Sequence, residues 1–173
     1  MKKLYDDNLT LEEAEELIRN GADVNGIDSL LRTPLFFVKD VEIAQLLIEH
    51  GADLNMFDYI GITPIYLCDT IELMELFIKN GARIDLIDKN NSTLLDYNYR
   101  LDTVKYLINQ GVVFGTIHTF KKRHYYLSKE QQEAFNAFAS ITSNDNDFYQ
   151  MCLAYQEGMK NNVKIEIKDM DIV

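Results

Sequence analysis

Three histidines and two cysteines are the residues of this 173-residue chain best suited to nucleophilic, acid–base or metal chemistry. His50, His118 and His124 stand at no helical metal-binding spacing, and Cys68 and Cys152 lie in unrelated contexts. A metal site needs ligands that converge from set spacings, and a nucleophile needs a base and an orienting group. The sequence offers neither, and it has no Gly-rich phosphate loop and no Gly-x-Ser-x-Gly elbow. It is therefore expected not to be an enzyme and to hold no cofactor or metal. Cys68 is expected in a core. His50 precedes a glycine that can end a helix, where a partly positive imidazole suits the helix dipole.

Charge narrows the ligand further. The net charge is −11, from 28 acidic and 17 basic residues. Residues 1–60 hold 13 acids and 5 bases, so most of the excess is N-terminal. Such a surface repels phosphates and attracts basic proteins, which argues for a protein partner and against nucleic acid. Lys121-Lys122-Arg123-His124-Tyr125-Tyr126 interleaves bases with aromatics, a pattern that can bind single-stranded nucleic acid. It is short and isolated, so it reads as a solvated linker. No run approaches the ~18 apolar residues that span a membrane. The N-terminus turns acidic where a leader would be apolar, and the expectation is a cytoplasmic protein.

Spacing reveals the elements that would position a site. Gly21, Gly51, Gly81 and Gly111 step by 30 residues, as do Asp28, Asp58 and Asp88, and Thr33, Thr63 and Thr93. In Thr33-Pro34 and Thr63-Pro64 the threonine can cap a helix and the proline can open it. The stretches from Val41, Ile71 and Leu101 place apolar residues on one helical face, and the glycine after each suits a left-handed helix end. Thr10 and Glu13 have capping-box spacing for a terminal helix over about 9–20, with Leu11, Ala14, Leu17 and Ile18 inward and the glutamates outward.

The strings Gly51-Ala-Asp-Leu-Asn55 and Thr33-Pro-Leu-Phe36 resemble the signatures of ankyrin repeats, over roughly residues 9–117. The resemblance implies an all-α solenoid of stacked helix pairs with projecting β-turn fingers. Residues 1–117 would form it, with repeats at 28–57, 58–87 and 88–117. Departures are informative. The period is 30 instead of ~33, so the first helices should be short. The motif histidine is replaced by Phe36, Tyr66 and Asp96, which shifts the tie between repeats toward apolar packing. A left-handed backbone is expected three residues after each aspartate. Gly61 and Asn91 accept it, but Leu31 does so at a cost, so the first finger is expected to be distorted.

Residues 118–173 lack the repeat and read as a helical C-terminal cap. Ser128 opens one helix to about Ala139, and another runs from about Asp145 to Glu157 with Gly158 as its stop. Phe148, Met151, Cys152 and Tyr155 share its apolar face. Val163, Ile165 and Ile167 alternate with charged residues, as in a short terminal strand.

By position, the resemblance assigns partner binding to Ile27, Leu30, Arg32 and Phe37, then Phe57, Tyr59, Ile60, Ile62 and Leu67, then Ile87, Lys89 and Tyr97. The expected function is a protein–protein interaction module, foremost a stoichiometric inhibitor such as an immunity protein against a basic toxin or effector. The alternative is an adaptor or scaffold in a host-interaction or signalling complex. The partner is another protein with a basic surface. Nucleic acid and membrane are not expected as partners, and the unbound chain is expected to be a monomer.

Overall fold

In a computed structural model of the protein, the structure describes residues 3–6, 8–98 and 100–161. These residues are all-α, with eight α-helices, three 3-10 turns and no strand among them. Helix α1 (Leu11–Arg19) starts on the expected capping box, in which Glu13 N–H donates to Thr10 Oγ1 at 3.3 Å and Thr10 N–H to the Glu13 carboxylate at 3.1 Å. Its Ala14 is buried, and Glu12, Glu15 and Glu16 face solvent.

One local pattern then recurs three times at the 30-residue interval. A turn loop leads into a short helical turn and then a nine-residue helix. The short turns are 3-10 at Pro34–Phe36 and Pro64–Leu67, and a four-residue α4 at Leu94–Tyr97. The nine-residue helices are α2 (Val41–Glu49), α3 (Ile71–Lys79) and α5 (Leu101–Asn109). A 30-residue interval leaves room for only one turn before each of them. Asp40 and Thr70 cap α2 and α3, accepting from Ile43 N–H at 3.0 Å and Leu73 N–H at 3.2 Å. Their C-termini close alike: Gly51 has φ +87, its N–H donates to Ile48, and Ala52 N–H donates to Leu47 at 3.0 Å. His50 Nδ1 lies 2.9 Å from the Leu46 carbonyl, which places a proton on that nitrogen.

An amide ladder in the asparagines of the repeated strings fixes the register. Asn25 Nδ2 donates to Gly51 O at 2.8 Å, and Asp53 N–H returns a bond to Asn25 Oδ1 at 2.8 Å. Asn55 repeats this 30 residues on, with Gly81 O at 3.1 Å and Arg83 N–H at 2.9 Å. Asp85 has no amide N–H to offer in the next position, and its carboxylate pairs with Arg83 at 3.0 Å.

The chain divides into two compact units, Met1–Leu86 and Ile87–Val173. In the first, Ala14, Leu35, Ala44, Leu47, Ile65, Leu73, Met74 and Phe77 form the core. In the second, the third repeat and the C-terminal segment share one core. Here α6 (Ile117–Arg123), α7 (Lys129–Ile141) and α8 (Asp145–Lys160) gather Phe114, Phe120, Phe135, Phe138 and Phe148, all buried. Phe120 meets Phe114, Phe135 and Phe148 with ring centroids 5.4–5.9 Å apart. Each fully buried phenylalanine is worth about 1.5–3 kcal/mol.

Several expectations are corrected. The basic run is no linker: Lys121–Arg123 end α6, and His124–Tyr126 form a 3-10 turn. Arg123 is buried, its Nη1 donating to the carbonyls of Leu95 and Asn98 in and just after the short third turn. Helix α8 passes through Gly158 to Lys160, since Gly158 is buried within it and tertiary packing overrides its weak helix propensity. Thr33 and Thr63 do not cap with their side chains, and both buried hydroxyls lack a hydrogen-bond partner. Tyr66 and Asp96 bond polar groups where apolar packing was expected: Tyr66 donates to Leu86 O at 2.5 Å, and Asp96 accepts from Gly115 N–H at 3.1 Å. Residues 163–167, read as a terminal strand, lie outside the described residues.

Candidate interaction surface

Each repeat opens on a turn loop, at 28–32, 58–62 and 88–92, built on an aspartate. The aspartate N–H donates to the residue four on, and the residue three on donates back to the aspartate carbonyl, at 2.9–3.1 Å in all three loops. The aspartate Oδ1 also accepts N–H groups of its own loop, from Leu30 and Arg32 at Asp28, from Ile60, Gly61 and Ile62 at Asp58, and from Asn90 and Ser92 at Asp88.

The first loop is undistorted, contrary to expectation. Leu31 takes φ +62, matching Asn91 at +59 and the left-handed Gly61 at +90. A left-handed leucine costs about 1–2 kcal/mol. The loop's extra bonds offset that: Arg32 Nε and Nη2 donate to Asp28 Oδ2 at 3.0 and 2.8 Å. The same guanidinium lies 4.5 Å over the Phe37 ring, and Tyr5 meets that ring edge-on at 5.6 Å. Burial pushes the Asp28 carboxyl up, but the Arg32 and Leu30 hydrogen bonds outweigh it and hold it below its ordinary 3.8. Tyr5 is pushed up by burial and then by Asp23 and Asp28.

The first two loops are joined edge to edge, Tyr59 N–H donating to Leu30 O at 3.0 Å. Their outer face is apolar and open. Ile27, Leu30, Phe57 and Tyr59 are exposed there, Phe57 by 48% and Tyr59 by 51%, and Leu67 on the adjoining helical turn is 45% exposed. Ile60, Arg32 and Phe37 are half-buried. Ile62 is corrected: it is only 3% exposed. Arg32 and Ser92 share its backbone ties to the loop aspartate and are half-buried, so it is the apolar side chain of Ile62 that burial favours here. In the second unit, Lys89 is exposed, Ile87 and Tyr97 are half-buried, and the Tyr97 hydroxyl donates to Asp88 Oδ2 at 2.6 Å.

Sequence reading missed Leu31, which is 47% exposed beside Leu30. The signal was there, since a left-handed residue at a loop tip turns its side chain outward, but Leu31 registered only as a steric fault. Beside Phe37, a cleft of about 220 Å³ opens between the N-terminal segment and Val38–Ile43, with Leu4, Leu9 and Ile43 as its apolar wall and Asp6 and Asp40 among its polar lining.

Burial pushes the thiols of Cys68 and Cys152 far up, which keeps them protonated and poorly nucleophilic. Among the described residues, no group of three or more His, Cys, Asp or Glu converges as a metal site, and no helix is long and apolar enough to cross a membrane. Charge is unevenly held. Residues 1–86 contain 17 acidic and 7 basic residues, which leaves −10 of the total −11 on the first unit. Neither a protein-family model nor a curated protein matches the chain.

Proposed function

We propose that the chain is an ankyrin-repeat protein that binds one basic protein and inhibits it stoichiometrically, with no catalysis of its own. One observation carries the reading: an apolar face on two joined turn loops stands open in a unit of net charge −10. Exposed apolar clusters with aromatics mark protein-binding sites, and surrounding charge speeds encounter with an opposite partner. The ankyrin assignment rests on the 30-residue recurrence of the strings and on the loop, short turn and helix that recur with them.

The test is retention of a partner from cells of the native source on the immobilised chain, identified by mass spectrometry. The Phe57→Ala/Tyr59→Ala double variant serves as the comparison. Loss of a central aromatic typically costs at least 2 kcal/mol, about 30-fold in affinity, so the partner should leave the double variant. It should bind one-to-one and lose its own activity in the complex. A partner held equally by a folded double variant rejects this surface. A complex holding two different proteins at once, both active, identifies an adaptor instead.

A further inference from the structure

The three turn loops are near-copies, and the second is incomplete. In the first, Asp28 Oδ2 receives the Arg32 guanidinium at 2.8 and 3.0 Å. In the third, Asp88 Oδ2 receives the Tyr97 hydroxyl at 2.6 Å and Asn90 Nδ2 at 3.3 Å. Each second oxygen thus has a donor side chain from its own repeat. In the second loop, the residues at those positions are Ile62, Leu67 and Ile60, all apolar. Asp58 accepts only backbone N–H groups on Oδ1, and among the described residues no side chain donates to its carboxylate. Asp58 is nevertheless only 6% exposed. Its Oδ1 is thus satisfied by backbone, while Oδ2, which has no side-chain donor among the described residues, is the oxygen left for a cation arriving from outside.

We propose that Asp58 Oδ2 receives an arginine guanidinium from the bound protein, seated between Asp58 and Leu67 with Phe57 and Tyr59 on its flank. The first loop supplies the geometry, because its guanidinium sits between Asp28 and Phe37, the residue 30 before Leu67. A planar, weakly hydrated guanidinium suits a carboxylate among apolar side chains better than a lysine ammonium does. Leu67, Phe57 and Tyr59 are each about half exposed, so they can cover the arginine stem and exclude water from the pair. The −10 charge of residues 1–86 favours a basic segment over a neutral one. The inference rests on the protein-binding reading and specifies which side chain the partner must present.

Its test does not require the partner. An acetylated, amidated Leu-Arg-Leu tripeptide is titrated at low salt up to ~10 mM into the ¹⁵N-labelled full chain, alongside a twin carrying neutral citrulline. The amide signals of Ile60, Gly61 and Ile62 should shift saturably with the arginine peptide. The citrulline twin should bind roughly tenfold more weakly, as for loss of a charge-assisted bond. Leu67→Tyr fills the site from within, since the introduced phenol can reach Asp58 as Tyr97 reaches Asp88. That variant should stay folded and lose the arginine-specific shift. Asp58→Asn, where it folds, should lose it too. No saturable shift, equal binding of the two peptides, or unchanged binding by folded Leu67→Tyr each overturns the inference. Peptide binding with no protein partner retained would keep the arginine site and sink the inhibitor reading. A partner retained without peptide binding would do the reverse.

Discussion

Single hydroxyls and carboxylates separate the three repeats more sharply than their sequences do. Thr33, Thr63 and Thr93 occupy one position, yet only Thr93 has partners for its hydroxyl, the Val113 carbonyl at 2.7 Å and Asp96 Oδ2 at 3.0 Å. An unmet buried hydroxyl is a penalty, whereas a bonded one is a gain. Thr33→Val and Thr63→Val should therefore leave stability unchanged or raise it, while Thr93→Val should cost about 1–3 kcal/mol, read by urea unfolding. Equal losses at all three would contradict the assignment. Asp28 gives a pH signature. Its folded pKa is depressed, so its contribution is complete above the unfolded value near 3.8 and fades as pH falls through the lower folded value. Arg32→Met removes the charged donor and keeps a stem over Phe37. The variant should be less stable than the parent by a constant margin above about pH 5, and that margin should shrink below 3.8. A margin that stays constant into acid would show that Arg32 acts through packing alone.

At the scale of the element, what distinguishes the third repeat is how its short helix is tied down. Asp96 Oδ2 gathers Thr93 N–H at 2.6 Å, Thr93 Oγ1 at 3.0 Å and Gly115 N–H at 3.1 Å. This knot anchors the segment entering α6. Gly115 allows it, since a Cβ there would stand 2.3 Å from Asn91 O, 2.9 Å from Asp96 Oδ2 and 2.9 Å from Thr93 N. Two of those three atoms belong to backbone and cannot swing aside. Gly115→Ala should thus destabilise by at least about 2 kcal/mol, and the Gly115 amide should lose its hydrogen-exchange protection. An alanine variant that melts with the parent would mean that the chain can relax around Asp96. In the first unit the corresponding work falls to the amides of Asn25 and Asn55, each bonding two backbone groups of the following repeat.

For the whole molecule, the division after Leu86 decides what truncation does. Cutting at residue 117, where the repeat ends in sequence, would remove Phe120, Phe135, Phe138 and Phe148 from a core they share with Phe114. It would also strip Arg123 from the carbonyls of Leu95 and Asn98. A chain ending at 117 should expose Val104, Leu107 and Phe114 and associate, seen as a rising mass in light scattering. A monomer as stable as the full chain would overturn the shared core. Placement of charge also belongs to this scale: −10 on residues 1–86 leaves −1 for the remainder.

The sequence alone determined the repeat helices, their register and the capping boxes at Thr10 and Ser128, because these depend on near neighbours. The 30-residue spacing located the three nine-residue helices and their glycine stops, and Thr10 and Ser128 opened helices through the boxes their spacing implied. The exposure of Ile27, Phe57, Tyr59 and Leu67 was anticipated by the resemblance to ankyrin fingers, which assigns those positions to the binding side. Tertiary structure decided the rest. Leu31 was driven left-handed because the loop's bonds outweigh its steric cost, and Ile62 was buried at a loop position whose counterparts Arg32 and Ser92 stay half-exposed. Arg123 left solvent for two carbonyls more than 20 residues away. Gly158 stayed helical because its helix is packed in the second core. For Arg123 and Gly158 a contact distant in sequence outweighed a local preference of only about one or two kcal/mol, and no window of neighbouring residues contains that contact. For Leu31 the deciding bonds lie within five residues, but their geometry, like the burial of Ile62, shows only in the folded loop.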